Sequence, residues 1–151
     1  MFFHKNTPKK LNTELDEGSN VELENKLIGG STEVDSILLI NDFNEFFKKF
    51  TKDSIFQIKR IQFPLEYSSA EIDSDELIKE QIQMEEWIHL DFYYDSTFRT
   101  RETDQYMRRF DFKKDSVTIE YRGIDNGIWI DYLFVKQEDN WILINYSDYS
   151  N

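Results

Sequence analysis

Between Ser116 and Tyr149 the chain passes through three aromatic-rich stretches with a period of two, and this restricts the fold more than anything else in it. Val117, Ile119 and Tyr121 alternate with Ser116, Thr118, Glu120 and Arg122. Asp125-Asn126-Gly127 then reverses the chain into Ile128-Trp129-Ile130-Asp131-Tyr132-Leu133-Phe134-Val135. Gln137-Glu138-Asp139-Asn140 reverses it again into Trp141-Ile142-Leu143-Ile144-Asn145-Tyr146. Such alternation gives each strand one buried and one open face, and Asn-Gly is a hairpin signal because it accepts positive φ at both turn residues. The chain therefore closes on an antiparallel meander. A fold class follows from this, but no chemistry.

The 151 residues suit one domain with room for a real core. Thirteen Phe, eight Tyr and three Trp point to an aromatic core built on a sheet, since each ring buries a large area. Packing accounts for most of them, and a few are available to line a pocket. The formal charge of −12 argues against a nucleic-acid partner, which would need clustered Lys and Arg. Residues 11–35 carry seven acids (Glu14, Asp16, Glu17, Glu22, Glu24, Glu33, Asp35) against the single base Lys26. The rest is acidic too, and solubility explains that more simply than electrostatic steering.

With no cysteine there is no disulfide, thiol catalysis or thiolate metal site. No run reaches the roughly 18 apolar residues of a membrane span, and Met1-Phe2-Phe3-His4-Lys5 does not open an export signal. A cytoplasmic location is expected from the chain as it stands, or a periplasmic or lipid-anchored one if an export signal has been cut away.

Residues 1–34 read as an acidic, disordered N-terminal arm, with apolar residues too sparse to offset the cost of ordering and a short helix conceivable at Val21–Leu27. One domain is expected over residues 35–151. Ile40, Phe43, Phe47 and Phe50, with Phe46 beside them, form a helical stripe, and Asp42-x-x-Glu45 fits a capping box at its start. Ile55–Tyr67 reads as extended, with Pro64 forcing that end to an edge or out of the sheet. Asp73-x-x-Glu76 fits the cap of a second helix over Asp75–Glu86. Trp87–Asp95 reads as a strand with Ile88, Leu90, Phe92 and Tyr94 on its buried face, and Gln105–Phe112 as another with Tyr106, Arg108, Phe110 and Phe112 together. The expected fold is α+β and cone-like: two or three N-terminal helices on a curved antiparallel sheet of four to six strands.

Asp42-Phe43-x-x-Phe46-Phe47-x-x-Phe50, then Asp53-x-x-Phe56-Gln57-x-x-Arg60-Ile61-x-Phe63-Pro64-Leu65, and the closing Trp141-x-Leu143, resemble an uncharacterised family of mostly exported Bacteroidetes proteins. The element order resembles the nuclear-transport-factor-2-like (SnoaL-like) cone fold. The resemblance covers about residues 40–148 and implies a fold but no activity, because that fold hosts isomerases, hydrolases, dehydratases and pure interaction domains. The family's usual export signal and lipidated Cys are missing here.

Two constellations carry candidate chemistry. Trp87, His89, Asp91 and Tyr93 would share a strand face at about 6.6 Å spacing, so that an imidazole and a carboxylate flank one bound group. Solvation or pairing of His89 and Asp91 on a half-exposed face is the simpler reading. The second set is Tyr121, Trp129, Asp131 and Tyr132, where Asp131 is a carboxylate on an otherwise apolar strand and needs a partner. The arrangement resembles that of cone-fold isomerases, which implies an Asp base and a Tyr donor inside an apolar cup. Pairing of Asp131 with Arg108, Arg109 or Arg122 is the simpler reading there. No phosphate loop, nucleophile elbow or metal-spaced set is present, so no cofactor or metal is implied.

The leading expectation is a non-catalytic domain binding a small apolar molecule or a protein partner, with Trp87, Tyr93, Tyr121, Trp129 and Tyr132 lining the site. One alternative is a cofactor-independent isomerase or hydrolase with an acid/base pair in the cone cavity, using His89 and Asp91 or Asp131. Another is a homodimeric module pairing through its sheet. If Phe43, Phe47 and Phe50 fill the concave sheet face, the enzyme and small-ligand readings both fall, leaving partner binding or dimerisation.

Overall fold

A computed structural model describes residues 33–151. The acidic arm, except Glu33 and Val34, lies outside the described residues, as does the helix considered at Val21–Leu27.

Helix α1 (Glu33–Lys52) begins well before the expected capping box, with Glu33 and Asp35 in its first turn and Lys49 and Lys52 in its last, matching the helix macrodipole. Asp42 is therefore inside the helix and caps nothing. Its Oδ2 instead accepts hydrogen bonds from Lys136 Nζ at 2.7 Å and Trp141 Nε1 at 2.9 Å. The buried stripe Ser36, Ile40, Phe43, Phe47 and Phe50 recurs at three and four residues, which sets one side of α1 against the sheet.

Ile55 lies not in a strand but in a second short helix, α2 (Ser54–Lys59). Asp53 makes the restart possible, its side chain accepting from the Phe56 N–H at 3.0 Å. The extended segment expected over Ile55–Tyr67 is thus helical at its start, and the strand begins only at Ile61.

Six strands follow: β1 (Ile61–Ala70), β2 (Leu77–Ile82), β3 (Tyr106–Lys113), β4 (Ser116–Gly123), β5 (Trp129–Gln137) and β6 (Asn140–Asp148). They make one curved sheet in the order β2-β1-β6-β5-β4-β3, with β1–β6 parallel and the other neighbours antiparallel. The parallel pair arises because β1, although early in the chain, docks against the last strand. Pro64 fits inside the sheet because the β1–β6 register shifts between Ile61 and Glu66 and the ladder to β2 begins only at Leu65.

The helix expected over Asp75–Glu86 is not formed. Leu77–Ile82 is strand β2, in register with β1 over six pairs, and only Met84–Glu86 takes a 3₁₀ turn. The Glu/Gln-rich stretch favours a helix intrinsically, but pairing to β1 outweighs that small preference. The Asp73–Glu76 signal falls in the hairpin connection.

Trp87–Asp95 has no regular structure and pairs with no strand, so the strand expected there is not formed. Phe92 takes φ = 54° and breaks the alternation, so Phe92, Tyr93, Tyr94 and Asp95 are all buried in succession. Ile88, expected inside, is 77% exposed.

The meander forms as the alternation requires, but its tight turn lies elsewhere. Positive φ occurs at Glu138 (48°) and Asp139 (66°), the two residues between the paired Gln137 and Asn140. In Asp125-Asn126-Gly127 only Asp125 has positive φ (55°). Gly127 is needed there for close approach: a Cβ on it would meet Asn151 Oδ1 at 1.8 Å.

Candidate functional site

The concave face of the sheet is the natural place for a site, and α1 occupies it. Phe43 is fully buried against Phe110, Phe112, Phe134 and Trp141, with ring centroids 5.2–6.3 Å apart. Phe47 and Phe50 pack on Phe92 and Phe134 at 5.2–6.3 Å. Most of these pairs are edge-to-face, the arrangement that ring quadrupoles favour. The rest of the concavity is closed by the 87–99 segment, with Phe92 against Tyr132 at 4.9 Å and Phe98 against Tyr106 at 5.1 Å. Among the described residues, a void of about 10 Å³ lies between Leu90, Phe92, Tyr121 and Tyr132. One water fills a space of that size.

The polar residue that fixes this closure is Gln57, which is fully buried between α2 and the 87–90 stretch. Its Nε2 donates to the Phe50 and Leu90 carbonyls, each at 2.8 Å. Its Oε1 accepts from Trp87 Nε1 at 2.9 Å and the Leu90 N–H at 3.1 Å. Both amide hydrogens and both lone-pair positions are thus used, which makes the burial affordable. Sequence reasoning gave Gln57 no role. Its place beside the Asp53-x-x-Phe56 cap was the available signal.

Each residue proposed from the sequence now has a position. Trp87 donates to Gln57 and packs on Phe63. His89 Nε2 lies 2.9 Å from the Thr51 carbonyl, which can only accept, so Nε2 carries the hydrogen; Nδ1 is buried without a partner. Asp91 Oδ1 accepts from the Tyr93 N–H at 3.0 Å. His89 and Asp91 are thus engaged by different partners and do not flank a common opening. Tyr93 donates its hydroxyl to the buried Asp95, which also accepts from the Thr97 N–H at 2.8 Å.

The second set divides across the sheet. Tyr121 and Tyr132 point inward and are buried. Trp129 and Asp131, of the opposite parity on β5, lie on the outer face. There Arg122 Nη1 donates to Asp131 at 2.8 Å and the guanidinium lies over Trp129 at 4.1 Å. Glu120 joins the same row through Arg109 at 2.7 Å and Arg122 at 3.5 Å. Arg109 and Glu120 are directly opposed across β3 and β4, while Arg122 reaches Asp131 diagonally and Glu120 along its own strand, which separates the two opposed carboxylates of Glu120 and Asp131.

A line of tyrosines crosses the inner face where α1 does not reach: Tyr67, Tyr146, Tyr132, Tyr121 and Tyr106, with successive centroids 4.7–6.0 Å apart. Burial is the main cause that raises their pKa values. Tyr132 is pushed well above 10, and the Tyr146 hydroxyl reaches about 12 with help from the charge of Asp148. Burial also raises Tyr121, against the opposing pull of Arg108. Arg108 lies among these rings, donating from Nη1 to the Phe92 carbonyl at 2.8 Å and stacking over Tyr94 and Phe110 at 4.9 and 5.0 Å. Its grouping with inward-facing Tyr106, Phe110 and Phe112 was readable from period two.

A shallow surface pocket of about 220 Å³ opens among Tyr93, Thr97, Phe98 and Arg101. Arg101 is already committed there, donating from Nη2 to the Asp104 carbonyl at 2.8 Å and stacking on Phe98. No group of three or more His, Asp or Glu among the described residues is arranged to hold a metal, and no described helix is long and apolar enough to cross a membrane.

The profile of a domain of unknown function, DUF4348, matches residues 37–148. The chain belongs to this family. Its fold is similar to that of an NTF2-like protein from Bacteroides fragilis, at 24% identity and a TM-score of 0.52, covering 73% of this chain and 47% of that one. The chain thus spans about half the length of that relative. It is also similar to a Bacteroides uniformis protein solved by NMR, at 20% identity and a TM-score of 0.51, covering 81% of this chain and 79% of the other. At these identities the likeness establishes the NTF2-like fold alone. No curated protein matches the chain. The residues that carried the family resemblance in the sequence are those that close the cone: Phe43, Phe47 and Phe50 fill it, Asp53 caps α2, and Gln57 pins the covering segment.

Proposed function

We propose that this DUF4348 domain is a non-catalytic module that binds a protein partner at its surface, rather than a small apolar molecule inside its cone. The observation that carries this reading is the concavity filled by Phe43, Phe47 and Phe50 on the sheet, where the void among Leu90, Phe92, Tyr121 and Tyr132 measures about 10 Å³. Known small-molecule sites need several hundred Å³. The isomerase or hydrolase alternative has less support because His89, Asp91 and Asp131 are each held by a different partner. Pairing of two copies through the outer sheet face has less support because the charges there are paired within one chain.

The test is an NMR screen of the full chain against small aromatic and aliphatic molecules, observing the tyrosine and phenylalanine rings. No probe is expected to shift Phe92, Tyr121 and Tyr132. A probe with intermolecular contacts to those three rings would overturn the proposal in favour of a cone ligand.

A further inference from the structure

The two edges of the sheet are finished differently. At the β3 edge, the Ser96–Arg99 turn is packed beside the strand through Phe98 on Tyr106, and Arg108 ties β3 to the Phe92 carbonyl. The β2 edge has no such cover among the described residues: β2 pairs with β1 alone, and all but one of its residues are exposed. Antiparallel alternation turns the N–H and C=O groups of every second β2 residue away from β1. Natural edges of this kind are usually blocked by Pro, by a bulge, by a covering loop or by charged side chains, Lys above all. β2 has no Pro, its register with β1 is unbroken over six pairs, and Lys79 is its one basic residue. Leu77 and Ile78 are nonetheless 59% and 40% exposed.

The charge around this edge is one-sided. Residues 71–86 hold seven acids (Glu71, Asp73, Asp75, Glu76, Glu80, Glu85, Glu86) against Lys79. Resting on the reading that the domain acts through its surface, we infer that the open edge of β2 takes up an extended segment of a partner protein in which Lys or Arg alternates with apolar residues. The incoming backbone completes the ladder, its apolar side chains meet Leu77 or Ile78, and its cations meet the acidic rim. A second copy of this chain is disfavoured as occupant, because pairing β2 with β2 would bring two acidic hairpins together.

The probe is a synthetic octapeptide alternating Lys and Val, N-methylated along one edge so that it cannot pair with itself. It is titrated into the full chain and followed by amide NMR shifts. Shifts centred on Leu77–Ile82 are expected, with binding that weakens as salt is added. A version methylated on both edges is expected to bind at least about tenfold more weakly, because it cannot donate to β2. Equal binding by the doubly methylated peptide, or by a Glu/Val peptide, would overturn the inference. So would protection of the β2 amides by self-association at rising protein concentration, and so would no binding at all. None of these results bears on the ring shifts that test the cone, so the two readings can fail separately.

Discussion

The inside of the cone and the β1–β2 hairpin are built from the same strand chemistry but finished in opposite ways. Inside, α1 and the 87–99 segment cover the sheet so fully that Phe43, Phe50, Phe112 and Phe134 have no solvent contact. At the hairpin, apolar side chains and one line of backbone groups are left facing water. The concave face of the sheet is here packed as a core. Fold kinship alone therefore does not locate a site, because sites depend on which side chains fill a shared frame.

The contrast is broken most severely from the inside. Phe47→Ala is expected to cost about 3–5 kcal/mol, since it removes a ring that touches Phe43, Phe92, Phe110 and Phe134. Chemical denaturation would measure this, and a loss below about 1 kcal/mol would mean the cone is loosely filled. Gln57→Leu ranks next, at about 2–4 kcal/mol, because it strands the Phe50 and Leu90 carbonyls, the Leu90 N–H and the Trp87 indole N–H together. Gln57→Glu should also destabilise, because Nε2 has two acceptors and a carboxylate offers none of its hydrogens.

Much of this was legible in the sequence, and the exceptions have physical causes. The stripe Phe43–Phe47–Phe50 and the β4–β6 alternation are long and strongly periodic, and both formed as read. β2 was misread as a helix because Glu, Lys and Gln favour helices locally, while its partner β1 is a long-range fact. Trp87–Asp95 was misread as a strand because one residue, Phe92 at positive φ, breaks the alternation, and no Gly marks the position. In the candidate site, Asp131 did pair with one of the three arginines considered, Arg122. The partners of His89 and Asp91 were not readable, since Thr51 lies 38 residues from His89 and the local turn to Tyr93 depends on Phe92.

High pH should sharpen the comparison further. The buried tyrosines have folded pKa values above the unfolded value of 10, so their neutral forms stabilise the fold fully below that pH. The stability is lost as pH rises from 10 through the folded values, about 12 for Tyr146. Tyrosinate absorbance is expected to rise late and together with loss of β-sheet circular dichroism. Smooth titration with the fold intact would show the tyrosine row to be open to solvent.

The smallest effects belong to the surface. Asp131→Asn removes one part-exposed pair with Arg122 and should cost no more than about 1 kcal/mol. Leu77→Ser should change stability by less than about 0.5 kcal/mol, because the side chain is already in water. It is expected to weaken the Lys/Val octapeptide all the same. A strong stability loss from Leu77→Ser would mean the hairpin is a core element after all.

The most direct test of a closed cone is xenon under pressure in crystals of the full chain. Xenon enters dry apolar cavities and ignores packed ones. Wild-type crystals should show no xenon between α1 and the sheet, while Phe47→Ala crystals should show it where the ring stood. Xenon in the wild-type protein among Leu90, Phe92, Tyr121 and Tyr132 would contradict the packed interior and return the search for function to the cone.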